Sequence, residues 1–168
     1  MPHIRPFRPG DLDRLREITV EAFNGVSIDQ NAEAMFGLIN GRDWRWRKGR
    51  HVDDDARRDP SGIFILAEGD EVLGGITTWI DRESGIGHIP NLAIAPQLRG
   101  QGWGRKLIEH ALDHFRRNGV AFARIETLEQ NEIGQRLYTS FGFREAARQI
   151  HYFMPLNTAA ESSPENTP

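Results

Sequence analysis

One stretch near the middle of the chain, from Leu92 to Gly104, constrains the fold more than any other. An apolar run ends at a proline, Arg99 and three alternate glycines follow, and apolar residues then recur at helical spacing. This order predicts a strand that enters a glycine-rich loop at the start of a helix. Because no Ser, Thr, Asp or Asn stands where that helix begins, its first backbone N–H groups lack a side-chain cap. These N–H groups, the helix dipole and the Arg99 charge predict a site for the pyrophosphate of a large cofactor.

Length and composition narrow the class of protein. The chain has 168 residues, a net charge of −3 and no cysteine. We expect a single domain over residues 1–156 and a disordered tail over residues 157–168, which contain no large apolar side chain. The charge argues against nucleic acid or an anionic membrane as partner, and the lack of cysteine excludes disulfides, thiolate metal sites and a cysteine nucleophile. The N-terminus lacks the apolar core of a signal peptide, so a cytoplasmic location is expected.

The N-terminal part of the chain predicts one strand and two helices. Residues 3–8 read as a short strand that Pro6 interrupts, which is typical of a sheet edge. A first helix follows Asp11, its predicted cap. A second helix is expected between about residues 27 and 41. Its inward face would carry four apolar residues, Ala32, Met35, Phe36 and Ile39.

Residues 42–60 combine aromatic and basic residues with three consecutive acids, Asp53 to Asp55. One interpretation is a nucleic-acid patch whose tryptophans stack on bases, although the acids offset its positive field. A second, which the sequence favours, is a surface helix or lid of mixed charge with its tryptophans partly packed on the core. In a third, the segment covers the substrate cleft and the acids attract a cationic substrate.

The remaining elements predict an α/β fold with a mixed, mainly antiparallel sheet. The predicted order is strands at residues 63–68, 71–80 and 86–95, a helix at 101–118, a strand at 121–128, a helix capped by Asn131, and final strands at 144–147 and 149–155. The first two strands form a hairpin. Pro90 lies within the third and cannot donate to a sheet, so it marks a bulge or an unpaired edge. The strand, helix and strand around the glycine loop predict one parallel, right-handed crossover.

Two motifs resemble those of the GCN5-related N-acetyltransferase (GNAT) superfamily. The segment Arg99-Gly100-Gln101-Gly102-Trp103-Gly104 resembles its acyl-CoA-binding loop, Arg/Gln-x-x-Gly-x-Gly/Ala, and the strand and proline before it also match. The segment Asn131-x-x-Gly134-x-x-Leu137-Tyr138-x-x-x-Gly142-Phe143 resembles its second motif. The order and spacing match over roughly residues 62–155. Two residues depart from the pattern, Trp103 in place of a smaller aliphatic residue and Gly134 in place of alanine.

The resemblance implies acetyl-CoA as co-substrate and an N-acyltransferase activity. It implies that the backbone of Leu92, Ala93 and Ile94 pairs with the pantetheine arm like an added strand. The residues that would wrap the pyrophosphate are Arg99, Gly100, Gln101, Gly102, Trp103, Gly104 and Arg105. Asn131 would contact the cofactor near its pantetheine, and Tyr138 would lie near the thioester sulfur.

Acyl transfer to an amine requires two proton transfers. An alkyl ammonium must lose a proton before attack, and the departing thiolate gains from receiving one. Tyr138 suits the acid by type and motif position, although it could instead be a buried tyrosine that fills the helix stripe. Glu126, on the predicted strand after the main helix, is the first candidate for the base, or else a structural carboxylate paired with Arg124 or Arg144. The other candidates for the base are Glu129, His88, Asn91 and His151. A strand N–H near Ile94 could stabilise the oxyanion.

Three other functions compete with this interpretation. A dinucleotide-binding enzyme has a similar strand, glycine loop and helix, but its glycines follow Gly-x-Gly-x-x-Gly and its turn is tighter. A non-catalytic acyl-CoA-binding module would keep the same loop. A nucleic-acid binder would use residues 42–50. No set of residues has convincing metal-ligand spacing. The amine acceptor is left open, and so is the choice between a monomer and a homodimer.

Overall fold

The computed structural model describes residues 1–156, so the predicted tail at 157–168 lies outside the described residues. The described strands are β1 (His3–Pro6), β2 (Ile63–Glu68), β3 (Glu71–Asp81), β4 (Ile86–Ile94) and β5 (Phe122–Ile125). The α-helices are α1 (Leu12–Ala22), α2 (Ile28–Phe36), α3 (Trp44–Arg58), α4 (Trp103–Arg117) and α5 (Glu132–Ser140). Within these residues no helix is long and apolar enough to cross a membrane.

The five strands form one sheet in the order β1-β2-β3-β4-β5. Neighbours are antiparallel except β4 and β5, which are parallel and joined through α4. This topology confirms the predicted mixed α/β fold with one crossover, and it confirms β1 as an edge strand. The pairing of β4 with β5 starts at Ile86 and Phe122 and stops at Ile89 and Ile125, so the two strands separate beyond that point.

Helices cover both faces of the sheet. One apolar cluster packs α1 and α3 against the first face, with Leu15, Ile18 and Val52 fully buried. The second packs α4 against the other face through Leu107, Ile108 and Phe115, and the apolar residues of α5 lie beside it. Burying each such side chain stabilises the fold by about 1.5–3 kcal/mol before conformational entropy is subtracted. These two layers hold β4 between α1 and α4.

Pro90 produces the predicted bulge. Asn91 of β4 lies opposite Thr77 of β3, whereas His88 lies opposite Trp79, so two β4 residues face one β3 residue between these pairs. The proline has no N–H to contribute to a ladder, and the extra residue allows the strand to bend. The separation of β4 from β5 begins at the same place.

Three local predictions need correction. Helix α2 ends at Phe36, because Gly37 adopts a φ of 73°, and Met35, Phe36 and Ile39 are exposed rather than inward. Of the predicted inward residues in α2 only Ala32 is buried, since the helix packs on α3 through a narrow face. Asp11 does not cap α1 with its side chain, which instead accepts the backbone N–H of Arg8 at 2.7 Å.

The final strands predicted at residues 144–147 and 149–155 are also wrong. Residues 144–156 adopt no regular structure and are exposed, and β5 is the edge of the described sheet. Among the described residues, no backbone hydrogen bond joins this segment to a strand. A strand needs a ladder partner, and an apolar pattern such as that of Ile150, Tyr152 and Met154 cannot by itself supply one.

Candidate active site

The glycine loop begins α4 without a side-chain cap. Gly102 precedes the helix and adopts the left-handed region with φ 81°. Because glycine has no side chain, this position supplies no cap to the first turn of the helix. Gly100 also has a positive φ of 74°. Because L side chains rarely adopt these angles, both positions favour glycine, although a Cβ there would meet no atom within 4 Å. The loop therefore leaves both open space and free N–H groups at the positive end of α4.

The edge of β4 that faces away from β3 presents polar backbone groups. The N–H groups of Asn91 and Ala95 point to β3, where they reach Thr77 Oγ1 and the Leu73 carbonyl. The backbone N–H and C=O groups of successive strand residues point alternately to the two edges of the strand. Leu92 and Ile94 therefore direct theirs away from β3, past the end of β5. The carbonyl of Ile94 accepts the Arg99 Nε at 3.2 Å. Ala93, by contrast, is buried and faces β3 with its polar groups.

The other predicted loop residues attach α4 to its surroundings. Gln101 donates to the carbonyl of Gln97 at 2.9 Å. Arg105 extends to α5, where it contacts Ser140 Oγ at 2.6 Å and lies over the ring of Phe141. Trp103 packs against the apolar cluster beneath α4, and a Cβ on Gly104 would lie 3.6 Å from Leu137. Of the predicted loop residues, the glycines 100 and 102 thus shape the loop, while the residues from 103 to 105 fix it to the fold.

Asn131 caps α5 as predicted. Its Oδ1 accepts the N–H of Gly134 at 3.1 Å, and its Nδ2 donates to Thr127 Oγ1 at 2.8 Å. A Cβ on Gly134 would lie 2.5 Å from the Asn131 Nδ2. The glycine that stands in place of alanine in this motif therefore leaves room for the capping amide in its observed position.

Tyr138 lies on the inner stripe of α5. Its ring packs beside the cluster that includes Leu92 and Ile94, edge-on to Phe143 at a centroid distance of 6.5 Å. Burial raises the pKa of Tyr138, so the phenol stays protonated at neutral pH. This state is the one that a proton donor requires.

A cleft opens beside Pro90 on the side of β5. Its lining residues are Arg58, Trp79, His88, Ile89, Pro90, Arg124 and Glu126. His88 stacks on Trp79 at a centroid distance of 3.9 Å, and burial together with the nearby Arg124 charge lowers its pKa. Glu126 follows the end of β5 instead of lying within a strand, which corrects the prediction, and it pairs with Arg124 at 2.7 Å. That pairing is the structural alternative considered for this carboxylate.

A second cleft borders Pro90 on the side of α3. Its lining residues are His51, Asp54, Asp55, Arg58, Pro90 and Asn91. The sequence pointed to Asp55 only as one of three acids that could attract a cationic substrate and did not point to Lys48, and both side chains are buried here. The sequence feature that could have indicated their burial is the helical spacing of Lys48, Val52 and Asp55. This spacing places the two charged residues on the same buried stripe as the valine.

The remaining candidates for the base are placed differently. Glu129 is exposed and pairs with Arg148, and His151 lies in the irregular segment after α5. Asn91 is buried between α3 and β3 with both side-chain polar atoms engaged.

In the described residues no group of three or more His, Cys, Asp or Glu is arranged to hold a metal ion. Within residues 42–60 the chain forms α3 (Trp44–Arg58), with Trp44 buried and Trp46 exposed, so the tryptophans pack only partly on the core, while Asp54 and Asp55 line the second cleft.

Comparison with known proteins places this geometry in a family. The chain is 28% identical to the mycothiol acetyltransferase of Parafrankia sp. (strain EAN1pec), over 90% of this chain and 55% of that protein. It is 38% identical over 63 residues to the [ribosomal protein bS18]-alanine N-acetyltransferase of Escherichia coli (strain K12), which is 38% of this chain and 43% of that one. The chain thus spans about half the length of the curated relatives it matches.

Solved structures share the fold. The PaiA N-acetyltransferase of Thermoplasma acidophilum, solved in complex with coenzyme A, has a TM-score of 0.67 at 18% identity, over 86% of this chain and 90% of that one. The ribosomal-protein-S18-alanine N-acetyltransferase of Escherichia coli has a TM-score of 0.62 at 22% identity, over 88% and 80% of the two chains. The family model described as "Acetyltransferase (GNAT) family" matches residues 13–143. On this match the chain belongs to the GNAT acetyltransferase family.

Proposed function

We propose that this chain transfers the acetyl group of acetyl-CoA to a primary amine. The observation that carries the proposal is the free edge of β4, where Leu92 and Ile94 present backbone polar groups next to an uncapped helix start. An extended amide chain can pair with such an edge, and a pyrophosphate suits such a helix start. The curated relatives quoted above are named acetyltransferases, which supports the same reaction class.

Acetyl-CoA, when bound, supplies an activated acetyl thioester. The residues that would hold it are those predicted from the sequence. Leu92, Ala93 and Ile94 form the strand edge, with the hydrogen bonds coming from the first and third. The loop from Arg99 to Arg105 would surround the pyrophosphate, and Arg99 would exchange its contact with the Ile94 carbonyl for the phosphate charge. Asn131 caps the start of α5, and the resemblance implies that it contacts the cofactor near its pantetheine.

The sequence offers two side chains for proton transfer, Tyr138 as the acid and Glu126 as the first candidate for the base. Tyr138 donates its proton to the departing sulfur, and its raised pKa keeps that proton available. Glu126 is the base that the sequence proposes, and its position in the cleft beside Pro90 supports that role. Its ion pair with Arg124 argues the other way, because the guanidinium competes for the same carboxylate.

An acceptor screen tests the proposed function. Purified protein and acetyl-CoA are incubated with alanyl-terminal peptides and small primary amines, and release of the coenzyme A thiol is measured together with the mass of the acceptor. We expect thiol release with an acceptor mass gain of one acetyl group. Binding of acetyl-CoA without release for any amine would favour a non-catalytic binding module. Binding of NAD in place of acetyl-CoA would reject the proposal.

A further inference from the structure

A buried polar network joins α3 to the bulge of β4. Lys48 Nζ donates to Asn91 Oδ1 at 2.7 Å, and Asn91 Nδ2 donates to Asp55 Oδ2 at 2.7 Å. Thr77 Oγ1 donates to the same Asp55 oxygen at 2.7 Å and accepts the backbone N–H of Asn91 at 3.1 Å. All four residues are buried. A network this fully satisfied holds its members in one arrangement.

The position of the network connects it to the proposed reaction. Asn91 directly follows Pro90 and directly precedes Leu92, the first residue of the free β4 edge. Asp55 lines the cleft that Pro90 and Asn91 border. Its Oδ2 accepts two hydrogen bonds from the sheet, whereas its Oδ1 accepts none from the side chains in residues 1–156. One carboxylate oxygen is therefore fixed and the other is left for the cleft.

The surroundings of Asp55 make it a stronger base than an ordinary aspartate. Burial raises its pKa, and this exceeds the lowering by the hydrogen bonds from Thr77 and Asn91 and by the charges of Arg58 and Lys48. The buried ammonium of Lys48 is itself destabilised, with its pKa lowered to about 8. Three further titratable groups lie near, His51 and Asp54 at the cleft and Asp29 beside His51. Glu126, by contrast, is exposed and held by a guanidinium.

We propose that Asp55 is the general base of the acetyl transfer and that Asn91 and Lys48 position it. This assignment rests on the proposed function. The ammonium group of the acceptor enters the second cleft, on the α3 side of Pro90, and donates an N–H hydrogen bond to Asp55 Oδ1. The N–H bond breaks, its electron pair stays on nitrogen, and the proton passes to the carboxylate. The neutral amine can then attack, and Asp55 releases its proton to solvent through the cleft.

The first test compares Asp55→Asn with a matched control on the same helix. Asp53→Asn removes the same charge, but Asp53 points to Arg16 of α1 and away from the cleft. At pH 7 we expect Asp55→Asn to lower kcat/KM for the amine by about 100-fold, which is at the lower end for loss of a general base. The dissociation constant of Asp55→Asn for coenzyme A should stay within about twofold of the wild-type value. The control Asp53→Asn should keep kcat/KM within about threefold of wild type. Both changes correspond to well under 1.4 kcal/mol, the free energy of a tenfold change.

The pH profile separates a base from a merely structural residue. In the wild type, kcat/KM should rise with pH as Asp55 ionises and fall as the amine loses its proton near pH 10. In Asp55→Asn, the rate should follow the free amine alone and increase about tenfold per pH unit toward the pKa of the amine. A loss that does not diminish at high pH would assign Asp55 a structural role.

A second measurement needs neither a variant nor a known acceptor. The side-chain amide protons of Asn91 donate to Asp55, so their NMR shifts report its protonation. We expect them to titrate above the ordinary aspartate pKa of about 3.9 and to shift on addition of n-propylammonium chloride. Asn91 signals that respond to neither would overturn the assignment.

The two proposals fail in different ways. Thiol release by the wild type with unchanged activity of Asp55→Asn would overturn the assignment of Asp55 alone. The same holds if Glu126→Gln, and not Asp55→Asn, produces the loss and the altered pH profile. No thiol release by the wild type with any amine would remove the proposed function, and the assignment with it.

Discussion

Thr77 holds together the network beneath the bulge, and its replacement by valine gives a quantitative test. Thr77→Val keeps the side-chain shape but removes the hydroxyl that donates to Asp55 and accepts from the Asn91 backbone. A hydrogen bond to a charged group contributes about 1.5–3 kcal/mol and a neutral one about 1 kcal/mol, so the loss should be roughly 3 kcal/mol.

The neighbouring residue supplies a matched control. Thr78 is 2% exposed and Thr77 is 1% exposed, and Thr78 Oγ1 donates to the neutral carbonyl of Gly62 at 2.7 Å. Thr78→Val should therefore cost about 1 kcal/mol. Urea unfolding at pH 7 measures both values, and an unchanged slope with denaturant shows that the comparison is valid.

The pH dependence of this difference follows from Asp55. The hydrogen bond from Thr77 lowers the pKa of Asp55, so it stabilises the ionised carboxylate more than the protonated acid. The extra cost of Thr77→Val should thus be largest above the pKa of Asp55 and should diminish as the pH falls through it. Equal losses for the two valine variants at pH 7 would refute the charge-assisted network.

Three further predictions concern the same region. Lys48 has a native pKa of about 8 against an ordinary value of 10.5, so wild-type stability should rise between those pH values by up to roughly 3 kcal/mol, a rise that denaturant titrations of Lys48→Met should lack. Gly102→Ala should lower the free energy of unfolding by about 1–2 kcal/mol because the φ of Gly102 is 81°. In calorimetric titrations it should also weaken coenzyme A binding more than Gly104→Ala does. Equal effects of the two variants would contradict the role of the left-handed turn. Tyr138→Phe should lower kcat by about 100-fold in steady-state assays while the KM for acetyl-CoA changes little, and an intact kcat would reject its role as the acid.

Much of the fold could be predicted because local signals and tertiary structure agree. The apolar runs of β2 and β3 reflect a sheet covered on both faces, and the helical period of α4 reflects burial of one of its faces. Pro90 indicated the bulge because a missing N–H has the same consequence in any sheet. Asn131 indicated the start of α5 because its side chain satisfies a helix N–H without help from distant residues.

The sequence was less informative where the outcome depends on distant partners. Asp55 lies in a run of three acids that reads as a solvated face, yet Thr77 and Asn91 from two strands satisfy its charge inside the protein. Glu126 continues the alternation of β5, but the parallel pairing ends at Ile125, so the residue leaves the sheet. The apolar pattern after α5 could not show whether a ladder partner exists for it.

The free edge of β4 and the uncapped start of α4 are proposed to bind coenzyme A together. Amide NMR of the protein titrated with coenzyme A tests it residue by residue. The N–H groups of Leu92 and Ile94 should shift strongly along with those of residues 100–104, whereas the N–H of Ala93, which faces β3, should change little. Shifts that leave Leu92 and Ile94 unchanged, or that NAD reproduces equally, would contradict the account.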